Sequence, residues 1–323
     1  MREVKIAGIG SYVPEKIMTN DDLAKIVDTS DEWISSRTGI KERRISEGEN
    51  TSDLAAKAAL KALEKANLSP EDLDLIIVAT SSPDALTPST AVFVQRNIGA
   101  FNAACFDISA ACSGFIYALN IGVQFIKSNQ SKNALVIGSE VLSKITDWKD
   151  RNTCVLFGDG AGAAVLLPSE EKGVSSIFCG ADGRKAEFLN INCVPVKNPF
   201  VTPEKIEDIR LTMDGREVFR FASNIVLEAV NKVLKDANLT LDDIKYIVPH
   251  QANYRIIEFA ARKLGVPEEK FFLNLQKYGN TSAASIPIAL DEMIEKEIIK
   301  KGDKIILVAF GAGFTWSACL VEW

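Results

Sequence analysis

The chain repeats itself at a constant spacing of 171 residues. Residues Asn67–Val78 and Asn238–Pro249 both pass from a helical pattern through an acidic turn into an apolar strand pattern. Two more pairs keep the same spacing, 109–114 with 280–285 and 133–138 with 304–309. General α/β patterning explains similar elements but not a constant spacing, so we interpret the repeat as the duplication of one ancestral unit.

The duplication predicts two similar halves, residues 1–171 and 172–323, with no Pro/Gly-rich linker between them. Each half alternates apolar strand patterns with amphipathic helices such as 53–66 and 218–234, whose apolar residues recur at helical spacing. This alternation is typical of α/β layers in which the strands are buried on both faces. A pseudo-twofold duplication brings equivalent strand ends together, so residues of both halves can share one site.

The charge and hydropathy of the chain exclude several classes of protein. A net charge of -6 at pH 7 argues against a general nucleic-acid binder. The charged residues Arg2, Glu3 and Lys5 stand where a signal peptide has its apolar core, and no apolar run is long enough to span a bilayer. We therefore expect a cytoplasmic protein that has neither nucleic acid nor a membrane as its partner.

One of the six cysteines has an unusual position. The cysteines are scattered without a CxxC pair, which predicts reduced thiols and neither a disulfide framework nor a metal site. Cys112 lies between a predicted strand, 106–108, and an apolar helix that starts at Gly114, so the helix end should lower the pKa of its thiol and favour a nucleophilic thiolate. A buried core cysteine is the alternative. The other five lie in or beside apolar strand-like runs and are interpreted as structural: Cys105, Cys154, Cys179, Cys193 and Cys319.

His250 is the only histidine, so proton transfer by an imidazole has a single possible location. It follows a predicted strand, 245–248, and precedes a predicted helix, 254–264, which Asn253 should cap. The carboxyl ends of strands are where α/β proteins place their chemistry. Taken alone, however, the position fits a structural histidine equally well.

Asn280 follows Gly279 and precedes a helical pattern, which by itself is typical of a turn or cap residue. The repeat adds a second argument, because this segment is the counterpart of the Cys112 turn in the other half. We therefore expect Asn280 and Cys112 to approach the same centre from opposite halves.

Two glycine-rich stretches were considered as binding loops. Residues 158–163 match the GxGxxA pattern of dinucleotide sites, but the continuation, 164–168, predicts a strand where that motif requires a helix. This excludes a nicotinamide site. The second stretch, Gly311–Trp316, follows a predicted strand, and it fits either amides that approach a reacting carbonyl or a tight strand-to-strand turn.

Together, these motifs resemble the β-ketoacyl-acyl-carrier-protein synthase III family of the thiolase superfamily. The matching segments run from end to end of the chain: 10–14, 28–34, 37–40, 110–112, 157–162, 249–253, 279–285 and 313–316. The resemblance implies an α/β fold, the duplicated thiolase-like five-layer αβαβα arrangement, usually as a homodimer. It also implies an acyltransferase that initiates fatty acid biosynthesis.

The resemblance implies a Cys–His–Asn triad formed by Cys112, His250 and Asn280. Cys112 would take the acyl group from an acyl-CoA primer, and the other two residues would stabilise the enolate formed when malonyl-acyl-carrier-protein loses CO2. The amides of Cys112 and Ala312 would bind the oxyanion, and Phe310 would screen the malonyl carboxylate. CoA is then a substrate, and neither a cofactor nor a metal is implied.

Further roles follow from the same resemblance. Trp33 and Arg37 would lie on either side of the CoA adenine, with Thr38 nearby, and Arg151 would hold the nucleotide end. The pantetheine tunnel would be lined by Gly215, Phe219 and Asn253. The carrier protein would dock on a basic patch formed by Arg255, Arg262 and Lys263, which share one helical face, although a solvated charged face is the alternative.

Departures from the family pattern concern specificity. Thr87 stands where some relatives have a bulky Phe that closes the acyl pocket, so we expect longer or branched primers to be tolerated. Asn152 replaces a Gly and Ala312 replaces a frequent Gly. Elongating synthases need two histidines and are excluded. A Cys–His–Asn condensing enzyme of secondary metabolism and a Cys–His acyl-CoA thioesterase remain as alternatives.

Overall fold

The computed structural model describes residues 2–203 and 209–323, which form two main β-sheets and two short ribbons. From edge to edge, the strands of the first sheet are β1 (Glu3–Tyr12), β7 (Gly160–Ser169), β6 (Ala134–Glu140), β4 (Leu75–Ala79) and β5 (Ala104–Ile108). Those of the second are β8 (Val174–Ala181), β13 (Thr315–Glu322), β12 (Lys304–Gly311) and β11 (Tyr246–Pro249). The ribbons pair β2 (Ile17–Thr19) with β3 (Glu42–Arg44) and β9 (Leu189–Ile191) with β10 (Leu211–Met213).

Helices connect these strands. In chain order they are α1 (Asn20–Leu23), α2 (Asp31–Thr38), α3 (Thr51–Ala66), α4 (Thr90–Ile98), α5 (Gly114–Lys127), α6 (Arg151–Cys154), α7 (Gly215–Ala237), α8 (Tyr254–Leu264), α9 (Leu275–Tyr278) and α10 (Ser285–Glu295). Short 3-10 turns lie at Pro70–Asp72, Ala111–Ser113, Leu142–Lys144, Gly183–Phe188, Leu241–Asp243, Glu268–Lys270 and Ser282–Ala284. Among the residues described, no helix combines the length and apolarity that crossing a bilayer needs.

The two sheets have the same topology. In each, the first two pairings from one edge are antiparallel and the next is parallel. The place of β5 is taken in the second sheet by one parallel bridge, between Ile247 and Phe271. The strands of the first sheet lie within residues 3–169 and those of the second within 174–322. The boundary at residue 171 itself remains a prediction.

Residues in unusual conformations also follow the repeat. Helices α3 and α7 end at Asn67 (φ 51°) and Asn238 (φ 53°), which both adopt the left-handed conformation that asparagine tolerates. The turns before α5 and α10 contain Ala111 (φ 46°) and Ser282 (φ 48°). Both pairs are separated by 171 residues, so the duplication extends to local backbone geometry.

Helices and sheets stack in the predicted αβαβα order. Helices α3 and α4 cover the outer face of the first sheet, α5 and α10 lie between the sheets, and α7 and α8 cover the second. The central helices are held by apolar side chains such as Phe115, Leu119 and Leu290, all fully buried. Because each such burial stabilises by about 1.5–3 kcal/mol, the turns at the start of α5 and α10 are firmly placed.

The continuation of the glycine-rich stretch, 164–168, lies in a strand, as predicted. Strand β7 begins at Gly160, and it pairs antiparallel with both β1 and β6. Its glycines permit close packing: a Cβ at Gly162 would lie 2.6 Å from the Pro287 ring of α10. The stretch therefore packs a helix against the sheet and does not open a nucleotide site.

Candidate active site

The turns before α5 and α10 open into a cavity of about 2080 Å³. Cys112, His250 and Asn280 all line it, and the approach of Cys112 and Asn280 from opposite halves was predicted from the repeat. Pockets for small ligands usually measure about 300–1,000 Å³, so this cavity has room for a long substrate in addition to the reacting centre.

The Cys112 turn is held from the second sheet. Cys112 is half-buried in the turn Ala111–Ser113, between β5 and α5, as predicted. A Cβ at Gly311, the last residue of β12, would lie 2.7 Å from the backbone nitrogen of Cys112, so only glycine permits this approach. The Thr315 hydroxyl lies 3.1 Å from the carbonyl oxygen of Ala110. The Cys112 turn, which follows β5 of the first sheet, is therefore fixed by residues of the second sheet.

Burial affects the two titratable groups in opposite directions. It raises the pKa of the Cys112 thiol to about 12, although contact with the Ser282 hydroxyl lowers this pKa and nearby Glu140 raises it further. The predicted lowering is therefore wrong, because lost hydration disfavours the thiolate more than the helix end favours it. Burial also lowers the pKa of His250 to about 3. At neutral pH both groups are uncharged.

His250 lies immediately after β11, and its side chain is only 1% exposed. Its backbone N–H donates to the carbonyl of Val308 at 2.8 Å, which extends the parallel pairing with β12. The Nδ1 atom lies 2.8 Å from the Ser285 hydroxyl oxygen. The edge of the imidazole faces Phe310, with ring centroids 5.4 Å apart. These contacts fix the plane of the ring at the cavity wall.

Asn280 is oriented by contacts on three sides. Its Oδ1 accepts from the backbone N–H of Ser282 at 2.8 Å, so the amide presents its NH2 group as the donor. Its backbone N–H donates to the carbonyl of Leu156 at 2.9 Å, and its own carbonyl accepts from Gly158 at 3.0 Å. A carboxamide donor held in this way stabilises negative charge on an oxygen in the cavity.

Phe310 and Ala312 both line the cavity. Phe310 is 3% exposed. The turn between β12 and β13 includes Ala312, whose carbonyl accepts from the Thr315 hydroxyl at 3.0 Å. This glycine-rich stretch forms a tight strand-to-strand turn that lies directly against the Cys112 turn, and the approach of its amides to a reacting carbonyl stays a prediction.

The predicted nucleotide site forms a cluster around the indole of Trp33. The guanidinium of Arg37 lies 4.5 Å from the Trp33 ring centroid, and that of Arg151 lies 5.0 Å from it. Arg151 also donates to the backbone carbonyl of Asp28 at 2.8 Å. Thr38 lines the cavity, but its hydroxyl already bonds within α2 and to the following turn. An adenine ring could enter only if one of the arginines moved off the indole.

The remaining predicted lining residues are found along the cavity. Gly215 begins α7 and Phe219 lies one turn later, and Asn253 caps α8 through a 2.9 Å bond from the N–H of Arg255. Thr87 is exposed, and it lines the cavity from the segment between β4 and α4.

The predicted docking residues lie on the solvent face of α8. Arg262 and Lys263 are exposed, and their charged groups lie 5.6 and 5.7 Å from the centroid of the Phe259 ring. Arg255 donates to the backbone carbonyl of Ser36 in α2 at 3.1 Å. The three cations therefore form one exposed surface beside the cavity mouth, which we call the α8 basic patch.

Sequence reasoning missed several residues of the site. Ser282 and Ser285 were treated only as part of a turn, yet Ser285 contacts His250 and Ser282 contacts both Asn280 and Cys112. The buried carboxyl of Glu140 was also missed; burial raises its pKa. The repeat could have pointed to the two serines, because they lie in the segment that is equivalent to the Cys112 turn. The interpretation of Cys193 as structural is wrong, because it is exposed and lines the cavity.

Comparison with known proteins gives consistent results over the whole chain. A sequence model described as 3-oxoacyl-[acyl-carrier-protein] synthase III matches residues 106–183, and the model of its C-terminal part matches 234–323. The β-ketoacyl-[acyl-carrier-protein] synthase III of Clostridium acetobutylicum is 59% identical over 323 residues, covering 100% of this chain and 99% of the relative.

Two solved structures are also similar. The 3-oxoacyl-[acyl-carrier-protein] synthase III of Aquifex aeolicus is 50% identical, with a TM-score of 0.92 over 99% of this chain and 100% of that one. The priming β-ketosynthase of the R1128 polyketide pathway is 36% identical, with a TM-score of 0.93 over 99% and 96% of the two chains. The chain thus belongs to the β-ketoacyl-acyl-carrier-protein synthase III family of acyltransferases and has the thiolase-type fold that its sequence predicted.

Proposed function

We propose that this protein condenses an acyl-CoA primer with malonyl-acyl-carrier-protein, giving β-ketoacyl-acyl-carrier-protein, CoA and CO2, and so initiates fatty acid biosynthesis. The observation that carries the proposal is the meeting of Cys112, His250 and Asn280 in one deep cavity. A thiol, an imidazole and a carboxamide provide a nucleophile and two groups that can stabilise an oxyanion.

In the first half-reaction, the sulfur of Cys112 attacks the thioester carbonyl of acyl-CoA, and the bond between that carbonyl and the CoA sulfur breaks. The acyl group remains on Cys112. The turn that contains Ala312 packs against the Cys112 turn, which supports the proposal that the backbone amides of Cys112 and Ala312 bind the oxyanion.

In the second half-reaction, the malonyl thioester occupies the same cavity. Loss of CO2 leaves an enolate whose oxygen accepts hydrogen bonds from His250 and from the NH2 group of Asn280. The enolate carbon then attacks the acyl-cysteine, and Cys112 leaves as the new carbon–carbon bond forms. Phe310, which packs against the imidazole, screens the malonyl carboxylate and favours its departure as uncharged CO2.

Substrate binding uses the remainder of the cavity. The adenine of CoA stacks on Trp33 once Arg37 or Arg151 has moved aside, and the pantetheine arm runs past Asn253, Gly215 and Phe219. Thr38 lies close to the nucleotide. Because its hydroxyl is already bonded within the protein, only its backbone contacts the nucleotide. The reaction requires no resident cofactor, since CoA arrives and leaves as part of the substrate.

The carrier protein docks on the α8 basic patch, where exposed cations favour an acidic partner.

We also propose a cytoplasmic homodimer. The unpaired edge of β5 supports a second copy, because an exposed strand edge is a template for pairing, and Phe101, just before β5, is 71% exposed. Sedimentation should give a dimer that Phe101→Glu weakens, whereas Phe200→Glu, at a residue 94% exposed, should not. A monomeric parent protein would contradict this proposal.

The experiment that tests the reaction has two stages. The protein is first incubated with acyl-CoA, digested, and searched by mass spectrometry for an acylated peptide, which should contain Cys112. Addition of malonyl-acyl-carrier-protein should then release a β-ketoacyl product and remove the label. Acylation at another residue, or none, would refute the mechanism. Release of free acid without malonyl-acyl-carrier-protein would indicate a thioesterase.

A second candidate is the priming of a secondary-metabolite pathway by the same chemistry. The likeness to the R1128 priming β-ketosynthase favours it. The two functions differ in their partner, because a secondary pathway uses its own carrier protein. The two functions are separated by comparing turnover with two substrates, the malonyl form of the producing cell's fatty acid carrier protein and the malonyl form of any pathway carrier protein. The carrier protein that gives the higher turnover identifies the function.

A further inference from the structure

The side chain of Arg43, in the middle of β3, is fully buried. Its Nη1 donates to Oδ1 of Asn20 at 2.9 Å and to the carbonyl of Met18 at 3.3 Å. Its Nη2 donates to the carbonyl of Val155 at 2.7 Å. Burial lowers the pKa of Arg43 to about 10, so the group is still a cation at neutral pH. Among the residues described, this buried charge thus bonds only to uncharged oxygens, which points to a role other than stability.

The Val155 carbonyl, which this cation holds, leads directly into the segment that supports Asn280. The carbonyl of Leu156 accepts from the backbone N–H of Asn280 at 2.9 Å, and the N–H of Gly158 donates to the Asn280 carbonyl at 3.0 Å. These bonds form a parallel bridge between Phe157 and Asn280. The segment that follows Val155 therefore sets the position of the Asn280 backbone.

The Cβ of Arg43 packs against both sides of this bridge. A Cβ added to Gly158 would lie 3.1 Å from it, and a Cβ added to Gly279 would lie 3.3 Å from it. Gly279 immediately precedes Asn280 and has a φ of 63°, a conformation that favours glycine. Arg43 therefore supports Asn280 in two ways, through the bond to Val155 and through packing beneath the two glycines.

We propose that Arg43 is a positioning residue for the condensation step, because it fixes the segment that holds Asn280 and so aims the Asn280 amide at the enolate oxygen. The proposal rests on the condensing function proposed above and adds a residue to it. The Cys112 turn has supports of its own, which are the close approach of Gly311 and the bond from Thr315. We therefore expect Arg43 to affect condensation and not the acylation of Cys112.

Arg43→Met removes the charge and the hydrogen bonds but keeps a long side chain in the same space. Condensation should slow by roughly 10²-fold, because a misplacement of about 1 Å can have an effect of this size. The acyl-enzyme, measured by mass spectrometry at saturating acyl-CoA, should form at the parent rate. Saturation is needed because Val155 directly follows α6, which carries Arg151 of the proposed nucleotide site. Equal condensation rates for the variant and the parent protein would overturn the proposal.

A double-mutant cycle tests whether Arg43 acts through Asn280. In a protein that already carries Asn280→Ala, Arg43→Met should slow condensation little further, since the amide that Arg43 positions is already gone. A general loss of stability would instead lower the condensation rate by the same factor in both backgrounds. Additive effects of the two substitutions would therefore contradict the proposal.

Arg44→Met is the matched control in the same strand. Arg44 is half-buried, its guanidinium lies 3.5 Å from the carbonyl oxygen of Glu15, and neighbouring strand residues point to opposite faces. This variant should condense at the parent rate. If Arg43→Met does not fold, Arg43→Lys takes its place, because one ammonium keeps the charge but cannot replace two separate guanidinium nitrogens. Arg43→Lys should also acylate normally and condense more slowly, and condensation at the parent rate would count against the proposal.

Amide hydrogen exchange reports on the same support without using activity. In Arg43→Met, peptides that contain the backbone amides of Gly158 and Asn280 should exchange faster than in the parent protein, whereas the peptide that contains Cys112 should not. Unchanged exchange at Gly158 and Asn280 would show that Arg43 does not position this segment. If the parent protein is never acylated, the proposed function fails, but the exchange rates still test the support, so the two failures are distinguishable.

Discussion

At the scale of single residues, the orientation of the Asn280 amide has the most direct consequence. Its oxygen is held by the Ser282 N–H, so its NH2 group points to where the enolate oxygen would form. We predict that Asn280→Ala still acylates Cys112 but condenses roughly 10²–10³-fold more slowly, as expected for the loss of one oxyanion donor. Single-turnover mass spectrometry with acyl-CoA, followed by malonyl-acyl-carrier-protein, separates the two stages. Loss of acylation instead would give Asn280 a structural role in the Cys112 turn.

Thr87 has a different consequence, which concerns the choice of primer. Its small side chain lines the cavity, so isobutyryl- and octanoyl-CoA should be used as well as acetyl-CoA. Thr87→Phe should lower kcat/KM for octanoyl-CoA by about tenfold or more relative to acetyl-CoA, because a bulky ring removes room for several methylene groups. Thr87→Val, which preserves the volume, is the control. A parent protein that accepts acetyl-CoA alone would contradict the prediction.

At the scale of elements, the contact between β12 and the Cys112 turn leaves no room for a side chain at Gly311. We predict that Gly311→Ala slows acylation by roughly 10²-fold, because the new Cβ would displace the turn, and a shift of about 1 Å can have an effect of this size. Gly183→Ala, at a glycine with no atoms near the added Cβ, should acylate normally. The time course of acyl-enzyme formation measures both. An unaffected Gly311→Ala protein would show that the turn adapts.

The helices and strands around the site also show which structural features the sequence repeat could predict and which it could not. Constant spacing predicted the turns at 111–113 and 282–284, since both precede helices with equivalent apolar patterns. The spacing fails at β7 and β13, which begin 155 residues apart, because a long segment follows β6 where only a short turn follows β12. That segment includes Leu156 and Gly158, which hold Asn280, so this support could not be read from the repeat.

The hydrogen-bond network of the serines was beyond sequence reasoning for another reason. The bond between Ser285 and His250 joins residues from different elements, and it depends on side-chain rotamers that the tertiary packing selects. The pKa of Cys112 was predicted in the wrong direction for the same reason, since the helix end is visible in the sequence but the depth of burial is not.

At the scale of the whole molecule, the α8 basic patch stands out against a net charge of -6. Replacing Arg262 and Lys263 by Glu should raise KM for malonyl-acyl-carrier-protein by about tenfold and leave acylation by acyl-CoA unchanged, because only the protein substrate is steered by this surface. The difference from the parent protein should shrink as salt is added. Lys235→Glu, at an exposed site on α7, is the control. Equal KM values for all three proteins would place docking elsewhere.

The bracing of the Cys112 turn by Gly311 and Thr315 also sets an order of events during synthesis. A nascent chain that has completed the first sheet at Ser169 already contains the thiol, but the strands that close the other side of its turn are still to be made. At 5–20 residues per second, this interval lasts roughly seven to thirty seconds. Until the second sheet is made, Cys112 therefore lies on a turn that lacks the support it has in the finished protein.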